Sequence, residues 1–513
     1  MIQNNATYLV ILLCAWLGIP SCTPNHDLPD DWKARWITSN VTDDSSMPLF
    51  RKEFAVGQHL EKARIYISGL GYNELYLNGQ KVGDQVLDPA QTNYDTYALY
   101  TTYDVSDQLK EGSNRIGIML GDGWYNQNKA FGIDLSYSKP SFICQVELGY
   151  EDRRLEVIGS DTTWEWTEGP VISANVYAGE VYDARKEIRN WSVPGSIDGT
   201  WHRAVVAKSY PPALKAQILP PIKKMKELKV KKFYPHGDGT YIFDLGQNFA
   251  GWARIRVNEP AGTAIRMRMS EELYPDGSLD FTSTGVGATQ HLQADTYICK
   301  GEGTEIWEPR FTYHGFRYVE VSGLSTRPDQ ETLKGVVVYS SVDTVGSFRC
   351  SDPQINRLHE LALWKLTSNI QGFPSDCPHR EKCGWLGDAH AVAPMSIYNF
   401  DAWLYKGIAG ISPVPENPGF RTIRFEPLLT NQLKWAGATY RSKYGLIKSS
   451  WKWQDDQFSW EIIIPSNCEG QVILPFDDFS SSTINGKRDG KERKMLRLGS
   501  GRYIIEIKKS GYL

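Results

Sequence analysis

Short runs in which apolar and polar residues alternate, cut every few positions by Gly, Asp or Asn, recur from residue 60 to about 345 and again beyond 440. Successive side chains of a strand point to opposite faces, so such runs predict half-buried β-strands. Ala63-Arg-Ile-Tyr-Ile-Ser-Gly-Leu-Gly71 and Glu74-Leu-Tyr-Leu77 show the pattern, and Asn78-Gly79 follows at once as a hairpin turn. Similar runs to about 210 predict an antiparallel β-sandwich over 30–210. Pro211-Pro212 and Pro220-Pro221 flank a linker. Strands at Gly239–Asp244, Ala253–Val257, Ala264–Met269, Tyr313–Val321 and Gly335–Tyr339 then predict a second sandwich over 215–345. At 513 residues and 58.0 kDa the chain is too long for one core and divides into several domains.

The period changes at 351. Ser351 or Asp352 can cap a helix, Pro353 suits its first turn, and Ile355, Leu358, Ala362 and Leu366 recur at helical spacing to about 370. A second helical segment is expected over about 387–410, kinked at Pro394, and Pro413-Val-Pro-Glu-Asn-Pro-Gly419 ends it. Alternation returns at Gly445–Trp451, Phe458–Ile464 and Gln471–Leu474, which predicts a C-terminal β-sandwich over 412–513.

Charge excludes some functions. A net charge of −4 and a pI near 6.2, without an arginine-rich block, argue against nucleic-acid binding through phosphate contacts. Lys223-Lys224 and Lys231-Lys232 read as solvated faces. The 17 Trp and 27 Tyr suit both wide β-sheets and sugar-stacking surfaces. No phosphate-binding loop, dinucleotide fingerprint, HExxH or GxSxG motif occurs. The cysteines Cys144, Cys299, Cys350, Cys377, Cys383 and Cys468 form no CxxC pair, so neither a metal site nor any cofactor is expected. Cys377 and Cys383 are close enough in sequence to pair in an oxidising compartment, or to remain buried thiols. Asp84, Asp88, Asn93 and Asp95 are candidate polar or calcium-coordinating groups, with solvated turn residues as the simpler alternative.

Tyr8–Ile19 is an apolar run of signal-peptide length, too short to span a bilayer. Leu17-Gly-Ile-Pro-Ser-Cys22 resembles the lipobox of bacterial lipoproteins, which makes 1–22 a lipoprotein signal peptide and Cys22 the lipidated residue. The expected location is periplasmic or on the outer membrane of a Gram-negative bacterium, with a lipid anchor as the membrane contact.

Chemistry concentrates in Asp376-Cys-Pro-His-Arg-Glu-Lys-Cys-Gly-Trp-Leu-Gly-Asp388. Carboxylates accept hydrogen bonds from sugar hydroxyls or move protons, and an indole covers the apolar face of a sugar ring. A salt-bridged surface loop is the plainer alternative.

Four stretches together make the chain resemble the bacterial α-L-rhamnosidases, glycoside hydrolase family 78. They are Gly69–Gly79 through Gly121–Tyr125; Phe243–Trp252 with Trp307–Arg317; Phe348–Asp352 with Asp376–Asp388; and Glu416–Phe420 with the β-tail. The resemblance implies a concanavalin-like second domain, a catalytic (α/α)6 barrel and inverting hydrolysis of terminal α-L-rhamnosides. It makes Glu381 the general acid, and Asp376, Arg380, Trp385 and Asp388 substrate-binding residues. The carboxylates Asp376 and Asp388 are expected to favour the protonated form of Glu381. The substrate implied is a rhamnose-containing oligo- or polysaccharide. The departure is in length. Twelve barrel helices need roughly 200 residues, whereas about 60 lie between Cys350 and Gly410. Asn399-Phe-Asp401 resembles the end of an early barrel helix and Ala402–Ile411 the last one. The expected architecture is therefore mainly β and multidomain, with a truncated barrel remnant over 350–411 that lacks the general base. Apolar helix faces meant for a barrel predict a homodimer that hides them. A glycan-binding surface lipoprotein without catalysis is the alternative function.

Overall fold

The computed structural model describes residues 32–40, 46–127, 130–195, 199–237, 239–390, 404–414, 417, 419–430, 432–476, 482–488 and 494–508. The signal segment with Cys22, the Pro394 kink, the Asp401/Ala402 junction and Glu416 lie outside the described residues. Lys33–Leu513 group as one unit and Met1–Trp32 as another.

Two sheets, antiparallel except for the edge strand Leu214–Ala216, form the expected N-terminal sandwich. One contains Ser141–Tyr150, Leu60–Leu70 and Ala98–Asp104, and the other Pro48–Val56, Gly112–Gly121 and Tyr72–Leu77. Alternate residues from both, including Phe50, Ile65, Ile67, Ile116, Ile118, Phe142 and Trp164, meet in one buried core. The Asn78-Gly79 turn has φ of 52° and 87°, the left-handed pair a tight hairpin requires.

The second β-domain differs in two respects from the expected layout. Its strands form one continuous ten-stranded sheet, organised by the 17-residue strand Tyr241–Val257. That strand bulges between Asp244 and Phe249. Gly251 lies within it at φ 151°, where a Cβ would stand 1.9 Å from the Val336 carbonyl oxygen, so only glycine permits the pairing. The sheet also takes strands from inside the 30–210 segment. Val171–Asn175 pairs with Gly179–Asp183, which runs parallel to Ala294–Ile298. The two β-domains are further tied by buried Glu74, which accepts from Lys81 at 2.6 Å, Arg310 at 2.8 Å and Tyr76 at 2.8 Å. Burial alone would raise its pKa, but Arg310 and Lys81 outweigh that and hold it at about 2.

The helix is Pro353–Thr367, capped by Asp352, whose carboxylate accepts from the backbone N–H of Gln354 and Ile355. Leu366 and His359 are buried, whereas Leu358 is 57% and Leu361 44% exposed, so the expected Leu358 face is turned outward. The cause is the packing partner. His359 lies against Phe348 and Tyr405, both in the core of the C-terminal sandwich. Phe348 belongs to Gly346–Cys350, a strand paired with Trp435–Ser442; this stretch, expected to open the barrel, is an edge of the C-terminal sheet. Of the second predicted helix, residues 386–390 are α-helical and Leu404–Ile408 is a π-turn. Trp451 Nε1 donates to the Ile408 carbonyl at 2.8 Å, so this end too is held by the C-terminal domain.

Candidate active site

The carboxylate-rich stretch leaves the helix and folds as a closed loop on the second β-domain. Asp376 closes it: its N–H donates to the Cys383 carbonyl at 3.0 Å, and its Oδ1 accepts from Cys383 N–H at 3.0 Å. The other carboxylate oxygen accepts from Cys377 Sγ at 3.0 Å. Asp376 therefore holds the loop's shape with both oxygens. Cys377 and Cys383 are free thiols, the latter donating to the Glu381 carbonyl at 3.1 Å.

Glu381 emerges at the loop's tip with its side chain one-third exposed. Its Oε2 accepts from Trp385 Nε1 at 2.7 Å, and Arg380 Nε lies 3.7 Å from Oε1. The groups at the Glu381 carboxyl are an indole donor and a guanidinium. Trp385 is 53% exposed, while its N–H holds the Glu381 carboxylate. Asp388 stands in solvent in the short helical stretch 386–390, and among the described residues no hydrogen bond or ion pair joins it to Glu381.

The residues that seat the loop were missed by sequence reasoning. Pro378 and His379 lie over Gly315, where an added Cβ would come within 2.7 Å of Pro378 Cγ and 2.9 Å of His379 Cβ. His379 Nε2 meets Glu271 Oε2 at 3.3 Å. Burial, then the cations Arg380, Lys382 and Lys365, depress the imidazole to about 4, which keeps it neutral beside Glu271, whose own pKa burial raises. Arg380 lies against Gly285. Tyr177 donates its hydroxyl to the Glu381 carbonyl at 3.0 Å, and its ring meets Trp124 and Phe131 of the N-terminal domain at 5.8 and 5.7 Å.

The calcium alternative fails at Asp88. It is buried, its oxygens accept from Thr101 at 2.7 Å and Gln217 at 3.0 Å, and burial raises its pKa. Asp84 pairs with Lys223 at 2.9 Å, and Asn93 and Asp95 are exposed turn residues. Among the described residues no three His, Cys, Asp or Glu side chains converge as metal ligands. A cavity of about 810 Å³ lies away from the 376–388 loop, between the helix (Leu361, Trp364) and the sheet (Leu245, Val337).

Stacked β-domains carrying a carboxylate–indole loop after a capped helix place the chain among multidomain, mainly β proteins as a class. Within that class, consecutive parts of the chain match the α-L-rhamnosidase N-terminal domain over 58–226, the bacterial α-L-rhamnosidase concanavalin-like domain over 235–339, the six-hairpin glycosidase domain over 343–408 and the C-terminal domain over 410–489. The chain belongs to the bacterial α-L-rhamnosidases, glycoside hydrolase family 78. An α-L-rhamnosidase of Formosa agariphila is 43% identical over 364 residues, which are 69% of this chain and 38% of that protein. One of Streptomyces avermitilis is 37% identical over 362 residues, 70% of this chain and 35% of its own length. The chain thus spans less than two fifths of either relative. The solved α-L-rhamnosidase of Dictyoglumus thermophilum superposes with a TM-score of 0.84 at 26% identity, covering 93% of this chain and 86% of that one.

Proposed function

We propose that the chain is an α-L-rhamnosidase with an assembled acid half-site and impaired turnover, acting on terminal α-L-rhamnosides of an oligo- or polysaccharide. The observation that carries this is the Glu381–Trp385 pair at 2.7 Å on a loop within the six-hairpin domain match. Glu381 protonates the glycosidic oxygen as oxocarbenium character develops. Trp385 and Arg380 then stabilise the carboxylate left behind. The exposed face of Trp385 packs on the sugar.

Inversion requires a second carboxylate to activate water, roughly 6.5–9.5 Å from the acid. The six-hairpin match is confined to 343–408 and the C-terminal match begins at 410. A full barrel needs roughly 200 residues. The base of that missing part has no counterpart among the described residues. General acid–base assistance contributes roughly 10²–10⁴-fold, so hydrolysis is expected to fall below that of full-length relatives by about that factor. The outward face of the helix supports a homodimer, and Leu17–Cys22 supports export with a lipid anchor at Cys22.

The test is hydrolysis of an aryl α-L-rhamnoside by the purified chain beside Glu381→Gln. Slow hydrolysis that drops at least about 100-fold in the variant supports the assignment. Hydrolysis that survives the substitution refutes Glu381 as the acid. Its complete absence in folded protein favours the second reading, a glycan-binding lipoprotein, for which the short helical segment is the supporting observation.

A further inference from the structure

The residue after Glu381 is a lysine that sees no solvent. Lys382 is fully buried, its backbone in the left-handed region at φ 52°. Its Nζ donates to the Val176 carbonyl at 2.6 Å and the Tyr313 carbonyl at 2.5 Å. The amine also lies 4.1 Å from the centre of the Tyr313 ring and 5.8 Å from that of Tyr177. Val176 stands in the turn between the strands Val171–Asn175 and Gly179–Asp183, and Tyr313 immediately precedes His314–Ser322. Both acceptors therefore sit on the ten-stranded sheet, 206 and 69 residues from Lys382. Together with the Tyr177 hydroxyl on the Glu381 carbonyl, they fix the backbone from which the acid projects.

We propose that Lys382 is a positioning residue for Glu381: its buried amine, held between the Val176 and Tyr313 carbonyls, clamps the acid loop to the β-scaffold independently of the helical segment. The clamp rests on Glu381 being the acid only for its catalytic meaning; the seating itself is a property of the loop.

The chemistry of the seat gives it a pH signature. A neutral amine has two N–H donors, matching the two carbonyls, whereas the third proton of an ammonium has only the ring face of Tyr313. Burial pushes Lys382 down to about 7, against the opposing pull of Cys377 on its own loop and Asp295 on the sheet. The other polar or titratable groups around it are Tyr177, Tyr313 and Cys383, with His314 engaging Asp295 at 3.1 Å and His379 on the same loop. Seated Lys382 therefore releases its proton near pH 7, while a solvated lysine keeps it to about 10.5. Between those values the unseated loop binds the extra proton, so seating strengthens as pH rises, by up to about tenfold per pH unit.

Hydrogen–deuterium exchange of the full chain tests this, with rates corrected for the intrinsic effect of pH. Peptides spanning 376–390 should gain roughly tenfold or more in protection between pH 6.5 and 8.5. Lys382→Met, which fills the space but cannot titrate, should be flat over that range while strands such as Leu60–Leu70 stay protected. A flat profile in the wild type, or an unchanged rise in the variant, overturns the proposal. If Lys382→Met fails to fold, the wild-type profile decides alone. A loop that seats as described in a protein whose hydrolysis survives Glu381→Gln leaves the clamp standing and removes the acid assignment.

Discussion

At the scale of single residues, the 376–388 loop divides into exposed groups, which the proposed function turns toward a substrate, and buried groups that face the scaffold. The sequence pointed to Glu381, Arg380 and Trp385 because they lie within six positions and resemble a family pattern, and their side chains meet in the structure. It did not point to Lys382, His379, Tyr177 and Glu271, because what defines them is contact with residues far along the chain. His379 gives a direct prediction. Its folded pKa of about 4 lies below the ordinary 6.5, so its burial favours folding above pH 6.5, and that contribution is lost as pH falls through 4. The full contribution is about 3 kcal/mol. Denaturant titrations at pH 7 and 4.5 should show His379→Gln losing less stability on acidification than the wild type. Equal losses would mean that the imidazole is not held neutral against Glu271.

At the scale of elements, the cap and start of the helix followed from Asp352 and Pro353, but its buried face did not follow from periodicity. An apolar stripe identifies a helix without identifying the partner, and here the partner is Phe348 and Tyr405 of the C-terminal core. The stripe expected at Leu358 is therefore split, with Leu366 inside and Leu358 outside. Leu366→Ala should cost about 2–3 kcal/mol in chemical denaturation, through lost burial and a residual cavity. Leu358→Ser should stay within about 0.5 kcal/mol at concentrations low enough to dissociate the proposed homodimer, and cost more above them. A large loss at Leu358 would show that its face is covered in solution, as a homodimer requires.

At the scale of the whole molecule, the β-architecture was legible from alternation, while the way its parts share strands was not. The ten-stranded sheet takes Val171–Asp183 from the segment assigned to the first sandwich, and the C-terminal sheet takes Gly346–Cys350 from before the helix. Such pairings join residues more than 80 positions apart, which local alternation cannot report. Their consequence is that the helical segment is bracketed by strand and π-turn on the C-terminal sandwich, and the acid loop rests on the second β-domain. The proposed function requires this scaffold to hold the sugar-facing half of the site without a complete barrel. Calorimetric titration with L-rhamnose, beside Trp385→Ala, tests it most directly. Saturable binding by the wild type that weakens roughly tenfold in the variant is the predicted result. No binding by folded wild-type protein, or equal binding by both, would contradict it.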